Sequence, residues 1–278
     1  MIGKGTSYGA ITVINAMPCG IGSTIGITLR TDAVFTPTGQ TKDIGIINDP
    51  SENKEMAKIC VSETYKKMNM EEPEGWLLNI SSDIPISRGL KSSSSACNAI
   101  VSSVLRAERF DMGVIDRIRL GVDCARKAKV TVTGAFDDAC GCELGGLVVT
   151  DNRSVTILFH EDIGEYDVLI HAPRNKIKKT SLPLEELKKI SFEIEGLIET
   201  AKFDPFKAMT DNGRLIASAS GIDDSVADIA IENGALGAGL SGSGPAIAIV
   251  LESGDAEDFI VRTGLTGLIF ARTRSMQQ

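Results

Sequence analysis

Apolar and β-branched residues gather in seven short stretches that read as strands: 9–15 (GAITVIN), 26–35 (GITLRTDAVF), 76–85 (WLLNISSDIP), 154–159 (SVTILF), 166–173 (YDVLIHAP), 246–253 (AIAIVLES) and 267–275 (GLIFARTRS). Between them the apolar period lengthens to that of helices. SENKEMAKICVSETYKKM opens on Ser51 as a cap with an acid close behind. PLEELKKISFEIEGLIETA starts with Pro183, a residue suited to a first helical turn, and predicts several amphipathic turns. DDSVADIAIENG stops at Asn233-Gly234. The C-terminal part therefore runs strand, helices, strand, helix, strand, the order of a split β-α-β layer with helices on one face of an antiparallel sheet. The pattern predicts an α+β protein of two joined halves, 1–152 and 153–278. The break falls near Asp151-Asn152-Arg153 or across 160–165, and no low-complexity linker separates the halves.

Composition narrows the class. The 278 residues are 42% hydrophobic and 24% charged, with a formal net charge of -8. That acidity argues against a nucleic-acid partner, which would ask for a basic face. It leaves room for a phosphorylated small molecule bound by local loops. The N-terminal stretch lacks the apolar core of a secretory signal, and no apolar run approaches the length of a membrane span. The expectation is a cytoplasmic chain with reduced thiols. Its oligomeric state stays open. Cys19, Cys60, Cys97, Cys124, Cys140 and Cys142 form no C-x-x-C pair, and His160 and His171 are the only histidines. A Cys/His zinc site is therefore not expected.

Candidate chemistry lies in three segments. The first is PISRGLKSSSSACNAIV, residues 85–101. Pro85 ends a strand, Gly89 allows a turn, and Ser92, Ser93, Ser94 and Ser95 lead into an apolar helix with serine as the expected N-cap. Alone, such a segment reads as a capped connection. The same free N–H groups, with half a positive charge at the helix start, also form an anion site. Arg88 and Lys91 add cationic charge. No G-x-x-x-x-G-K-[ST] loop occurs in the chain.

The second is TVTGAFDDACGCELGG, residues 131–146, where Asp137 and Asp138 stand among small and apolar residues. They could take a proton, hold a metal, or cap a local helix. The third is NGALGAGLSGSGPAIAIV, residues 233–250. Its G-x-G-x-x-G spacing follows a helix and precedes a strand, the reverse of the dinucleotide fingerprint. What remains is a glycine-dense loop from Gly239 to Gly244 whose N–H groups can nest an anion.

The three segments, in this order, resemble those of the GHMP kinases, the superfamily of galactokinase, homoserine kinase and mevalonate kinase. PISRGLKSSSSA is similar to the phosphate loop P-x-x-x-G-L-x-S-S-x-A, and GAGLSGSGPA to the third, glycine-rich motif. TVTGAFDDA is similar to the segment that carries the catalytic Asp. With AITVINAMPCGIG near the start, the wording resembles the archaeal shikimate kinases, a GHMP branch, through nearly the whole chain.

The resemblance implies an S5-type α/β domain followed by a ferredoxin-like layer, with the active site between them. It implies ATP and Mg²⁺ as cofactors and transfer of the γ-phosphoryl to the 3-hydroxyl of shikimate. The alternative is another GHMP small-molecule kinase, of the homoserine or mevalonate type. By resemblance, Pro85, Ile86, Ser87, Arg88, Gly89, Leu90, Lys91 and Ser92 to Ser95 form the ATP phosphate loop. Gly239, Ser241, Gly242, Ser243 and Gly244 form the second phosphate contact. Ser93 falls near the metal-ligating serine. Asp137 matches the catalytic aspartate when Asp137-Asp138-Ala139 is read against Asp-Asn-Ala. Counting back from Gly145-Gly146 selects Asp138 instead.

Two departures stand out. Lys91 takes a place where many relatives have Gly. The stretch before the acids reads DCARKAKV, with Arg126 and Lys127 where the resemblance implies a metal-binding Glu; Asp138 could serve as the substitute ligand. For the acceptor's carboxylate the sequence offers Lys4, Lys178, Lys179 and Arg214.

Overall fold

In the computed structural model, residues 1–47, 53–86, 88–131, 133–173 and 183–276 are described. The first sheet is built on two long strands, β1 (Gly3–Ile14) and β2 (Ile21–Thr38), paired antiparallel. Along β1, burial alternates at first and becomes continuous from Gly9 onward. The outer half of the strand has one wet face, and the inner half is covered on both. β3 (Lys42–Ile46), β4 (Gly75–Ser82), β5 (Leu147–Asp151) and β6 (Thr156–Glu161) complete the sheet in the order β3-β4-β2-β5-β6, with β1 on β2. Only β3 and β4 are parallel to each other.

Over this sheet lie α1 (Glu55–Lys67), α2 (Ser92–Ala107), α3 (Val114–Lys127) and α4 (Phe136–Leu144). The long helix α2 rides directly on β1 because Gly5 offers no side chain. A Cβ there would stand 2.0 Å from the Ala99 carbonyl oxygen.

The second sheet holds β7 (Asp167–His171), β8 (Gly237–Leu240), β9 (Ile247–Leu251) and β10 (Leu268–Arg272) in the antiparallel order β10-β7-β9-β8. With helices between β7 and β8 and again between β9 and β10, this is the ferredoxin-like arrangement. Its helices are α5 (Leu184–Lys189), α6 (Ser191–Gly196), α7 (Ile198–Phe203), α8 (Pro205–Ser220), α9 (Ser225–Glu232) and α10 (Ala256–Thr263).

Several expectations need correction. β6 pairs with β5, so the sheets change between Glu161 and Asp167, at the second of the two expected breaks (160–165) and not at Asn152. The single helix expected after Pro183 is three short ones. Leu187, Ile194 and Ala201 are all fully buried at a spacing of seven, which keeps one apolar stripe across the breaks. β8 reads GAGL, too short and too glycine-rich to announce itself as a strand. Ser51 lies outside the described residues.

One apolar core unites both halves. Ile11, Ile14 and Ile25 of the first sheet pack in the same cluster as Val168, Ile170 and Ile249 of the second, together with Met209 of α8. A separate cluster around Phe35, Tyr65 and Trp76 holds α1, α2 and α3 to the first sheet. A smaller one around Ile118, Phe136 and Val148 seats α4. Among the described residues no helix is long and apolar enough to cross a membrane. All six cysteines are buried and unpaired.

Candidate active site where the two halves meet

The serine loop joins β4 to α2 and ends at Lys91, which holds φ 65° and ψ 24°. Ser95 N–H donates to the Lys91 carbonyl at 3.0 Å, the first bond of the helix. The N–H groups of Ser92, Ser93 and Ser94 precede that bond, so no helical carbonyl lies behind them. The expected serine cap is absent: the N-cap is Lys91, and no side chain caps this end. An uncapped, positively polarised helix start is better placed to receive an anion than a capped one. Ser92 and Ser93 are half-buried, whereas Ser94 and Ser95 are buried and the Ser95 hydroxyl has no partner.

Pro85 and Ile86 are half-buried on the approach, and Leu90 anchors the loop with no exposure at all. Arg88 donates through Nη1 to the Ala172 carbonyl at 2.7 Å, which ties it to the end of β7. Ser87 lies outside the described residues.

This loop sits on the turn between β8 and β9. At Gly89, φ is 86° and a Cβ would stand 1.8 Å from the Ser241 carbonyl oxygen. Ser241 Oγ donates to the Gly89 carbonyl at 2.9 Å and accepts Thr12 N–H at 3.2 Å. Gly242 N–H donates to Thr12 Oγ1 at 2.8 Å, and the Gly242 carbonyl accepts Asn15 Nδ2 at 2.8 Å. Ser243 is half-buried and Gly244 buried in the same turn. Gly239 belongs elsewhere. It lies inside β8, where a Cβ would stand 2.5 Å from the Met209 carbonyl oxygen, so its bareness serves the packing of α8. The loop proper begins at Ser241 and connects strand to strand, not helix to strand.

The two acids occupy the first turn of α4 but face different neighbours. Asp137, 4% exposed, accepts Asn152 Nδ2 on Oδ1 at 2.7 Å and donates its own N–H to Asn152 Oδ1 at 3.0 Å. Its carbonyl accepts the Thr24 hydroxyl at 2.9 Å. Gly22 leaves room for the carboxylate, since a Cβ there would be 2.2 Å from Asp137 Oδ2. Burial, reinforced by the neighbouring Asp138, pushes the Asp137 carboxyl up to about 6, against the pull of Lys91 and Asn152. Asp138 turns toward the serine loop, where its Oδ1 lies 2.7 Å from Lys91 Nζ. The same ammonium donates to Thr12 Oγ1 at 2.6 Å. The serine loop, the glycine turn, the end of β1 and the start of α4 thus form one connected site.

The expected cations sort differently. Lys4 pairs in register with Val34 at the outer end of β1, remote from Thr12 on the same strand. Arg214 is engaged with Asp228 of α9 at 3.1 Å. Lys178 and Lys179 lie outside the described residues. Arg153 is the cation next in sequence to Asn152. Its Cδ would lie 2.9 Å from a Cβ on Gly20, and its side chain is 64% exposed with Nε on Asp151 at 3.1 Å. Thr12, Asn15, Asn152 and Arg153 all escaped the sequence reading. A signal existed for the first two: they are polar positions at the end of an otherwise apolar strand.

Among the described residues no group of three His, Cys, Asp or Glu side chains is placed to hold a metal. The donors present are the Ser93 hydroxyl and the Asp138 carboxylate, whose Oδ2 is not the oxygen taken by Lys91. Two hard oxygen donors suit Mg²⁺, which keeps waters and fills its shell with substrate phosphates.

The model of the GHMP kinases N terminal domain matches residues 55–146, and that of the GHMP kinases C terminal matches residues 205–263. The first span contains the serine loop and both acids, and the second contains the glycine turn. A protein named shikimate kinase from Methanobrevibacter smithii is 35% identical over 259 residues, 91% of this chain and 89% of its own length. Another of that name from Pyrococcus abyssi is 36% identical over 254 residues, covering 91% and 92%. Of solved structures, the Methanococcus jannaschii mevalonate kinase superposes with a TM-score of 0.80 at 17% identity, over 100% of this chain and 98% of that one. Lactococcus lactis galactokinase complexed with galactose does so at 0.72 and 14%, over 100% and 95%. With both of its halves matched and its motifs assembled into one site, the chain belongs to the GHMP kinase family.

Proposed function

We propose that this kinase transfers the γ-phosphoryl of ATP to the 3-hydroxyl of shikimate, with Asp137 as the base. The observation that carries the mechanism is the division between adjacent acids: Asp137 is held by Asn152 in a dry niche, and Asp138 is held by Lys91 at the phosphate loops. The choice of acceptor is supported by the relatives named shikimate kinase, which align along about nine-tenths of the chain.

The uncapped start of α2, the Ser92 and Ser93 hydroxyls and the Gly242 turn receive the β- and γ-phosphates. Asp137 accepts the proton of the acceptor hydroxyl. The hydroxyl oxygen then bonds to Pγ, the bond from Pγ to the β-γ bridging oxygen breaks, and ADP leaves with that electron pair. Ser93 and Asp138 would hold Mg²⁺, which when bound neutralises charge on the β- and γ-phosphates. Arg153, beside Asn152, is the cation for the acceptor's carboxylate. Such catalysis rests on positioning and charge neutralisation more than on covalent chemistry.

The test is ADP release by the purified chain with MgATP and, in parallel, shikimate, homoserine or mevalonate. ADP release with shikimate alone, and a product phosphorylated on the 3-oxygen by phosphorus-coupled NMR, is the expected result. Release with one of the other two alcohols and none with shikimate would overturn the acceptor.

A further inference from the structure

Lys91 is strained and buried at once. Its backbone lies in the left-handed region that favours glycine, and its side chain is only 3% exposed. Neither property is explained by helix capping, because the side chain makes no cap bond. It runs inward to Asp138 Oδ1 at 2.7 Å and Thr12 Oγ1 at 2.6 Å. The Thr12 hydroxyl oxygen accepts Gly242 N–H as well, so one ammonium joins the serine loop, α4 and the glycine turn. Gly242 itself is close, since a Cβ on it would lie 3.2 Å from Lys91 Nζ. A buried ion pair is weak as a source of stability, because desolvation offsets the attraction. An unstrained glycine would serve the turn better. Strain retained at a site points to what the residue does there.

We propose that Lys91 is the positioning residue of the nucleotide site. It fixes the Asp138 carboxylate and the Gly242 turn in the one arrangement that receives the triphosphate and its metal. This rests on the phosphoryl-transfer reading of the site but not on the identity of the acceptor. Removing the ammonium frees Asp138 to rotate and takes one of two donors from Thr12, and both effects fall on nucleotide binding. On the acceptor side Lys91 bears only on the charge of Asp137, while its hydrogen bond and ion pair are to Thr12 and Asp138.

The test measures MgATP affinity by calorimetry without acceptor, and kcat and KM with shikimate, for K91M, K91G, D138N and the double variant K91M/D138N. K91M and D138N should each weaken MgATP binding by about tenfold and lower kcat by roughly 10- to 100-fold, with the KM for shikimate within about threefold of wild type. The double variant should be no worse than the weaker single, because the two side chains act as one unit. K91G relieves the backbone strain, so it should melt no lower than K91M and still show the same loss of affinity. It carries the test should K91M fail to fold. Folded variants with wild-type MgATP affinity and kcat, or losses that multiply in the double variant, would overturn the proposal. A wild-type chain that binds MgATP but ignores shikimate would refute the acceptor and leave the affinity comparison decisive for Lys91.

Discussion

As the proposed base, Asp137 would be poor for stability and suited to chemistry for the same reason, its burial. Its carboxyl is raised to about 6 chiefly by burial, so the folded state holds the proton more tightly than the unfolded chain does. Above pH 6 the buried charge opposes folding, and the opposition fades as pH falls from 6 toward the ordinary carboxylate range. Asp137→Asn should therefore melt higher than wild type at pH 8, by up to on the order of 1–3 kcal/mol, with the gain shrinking below pH 6. The same substitution should lower kcat by roughly 10²–10⁴ while leaving MgATP affinity nearly intact. In the wild type, kcat/KM should fall on the acid side of about pH 6, where the base is protonated. A flat acid limb, or near-normal turnover in Asp137→Asn, would move the base elsewhere. Arg153, proposed above as the cation for the acceptor's carboxylate, is mostly exposed, and such a guanidinium would bind a carboxylate without the desolvation a buried one would suffer. Arg153→Met should raise the KM for shikimate by about 10- to 100-fold with a smaller effect on MgATP, as expected for loss of one charge-assisted contact. Equal losses for both substrates would show the residue to be structural.

At the scale of elements, the start of α2 decides the site, and it does so through its seat. The helix end is left uncapped by side chains, and its preceding loop is pressed onto the glycine turn through Gly89 and Ser241. Gly89→Ala meets two obstacles, a φ of 86° and a carbonyl oxygen where the methyl must go. Melting curves should show a loss of more than about 1 kcal/mol. MgATP affinity should fall further than the stability loss explains, because the loop must lift off the turn. If affinity is unchanged in the folded variant, the contact between the two loops does not shape the phosphate site.

For the molecule as a whole, the shared core is the controlling feature. Ile11, Ile14 and Ile25 interdigitate with Val168, Ile170 and Ile249 in one apolar cluster, so neither half can keep its buried face dry alone. The halves should unfold together. Trp76, the single tryptophan, lies in the cluster of the first half. Its fluorescence should track far-UV circular dichroism through one urea transition. Two resolved transitions would mean that the halves are independent domains. The geometry of the site depends on this coupling, since Thr12 and Gly242 come from opposite halves and meet at 2.8 Å.

What the sequence determined by itself was largely local. Strand and helix periods, the three motifs in order, and the pairing of acids in a small-residue turn are properties of neighbours along the chain, and they were enough to place the family. The serine loop and the adjacent acids Asp137 and Asp138 were legible as motifs for that reason. The contacts of Asn152, Thr12 and Arg153 were not, because each meets residues elsewhere in sequence: Asn152 meets Asp137, Thr12 meets Lys91 and Gly242, and Arg153 lies against Gly20. The same holds for Gly239, where only the approach of α8 reveals a packing position inside what reads as a nest. Lys91 is the sharpest instance. In sequence it is a departure from a pattern; in the fold its ammonium lies buried between Asp138 and Thr12, a pairing that only the closing of α4 and β1 around the loop could decide.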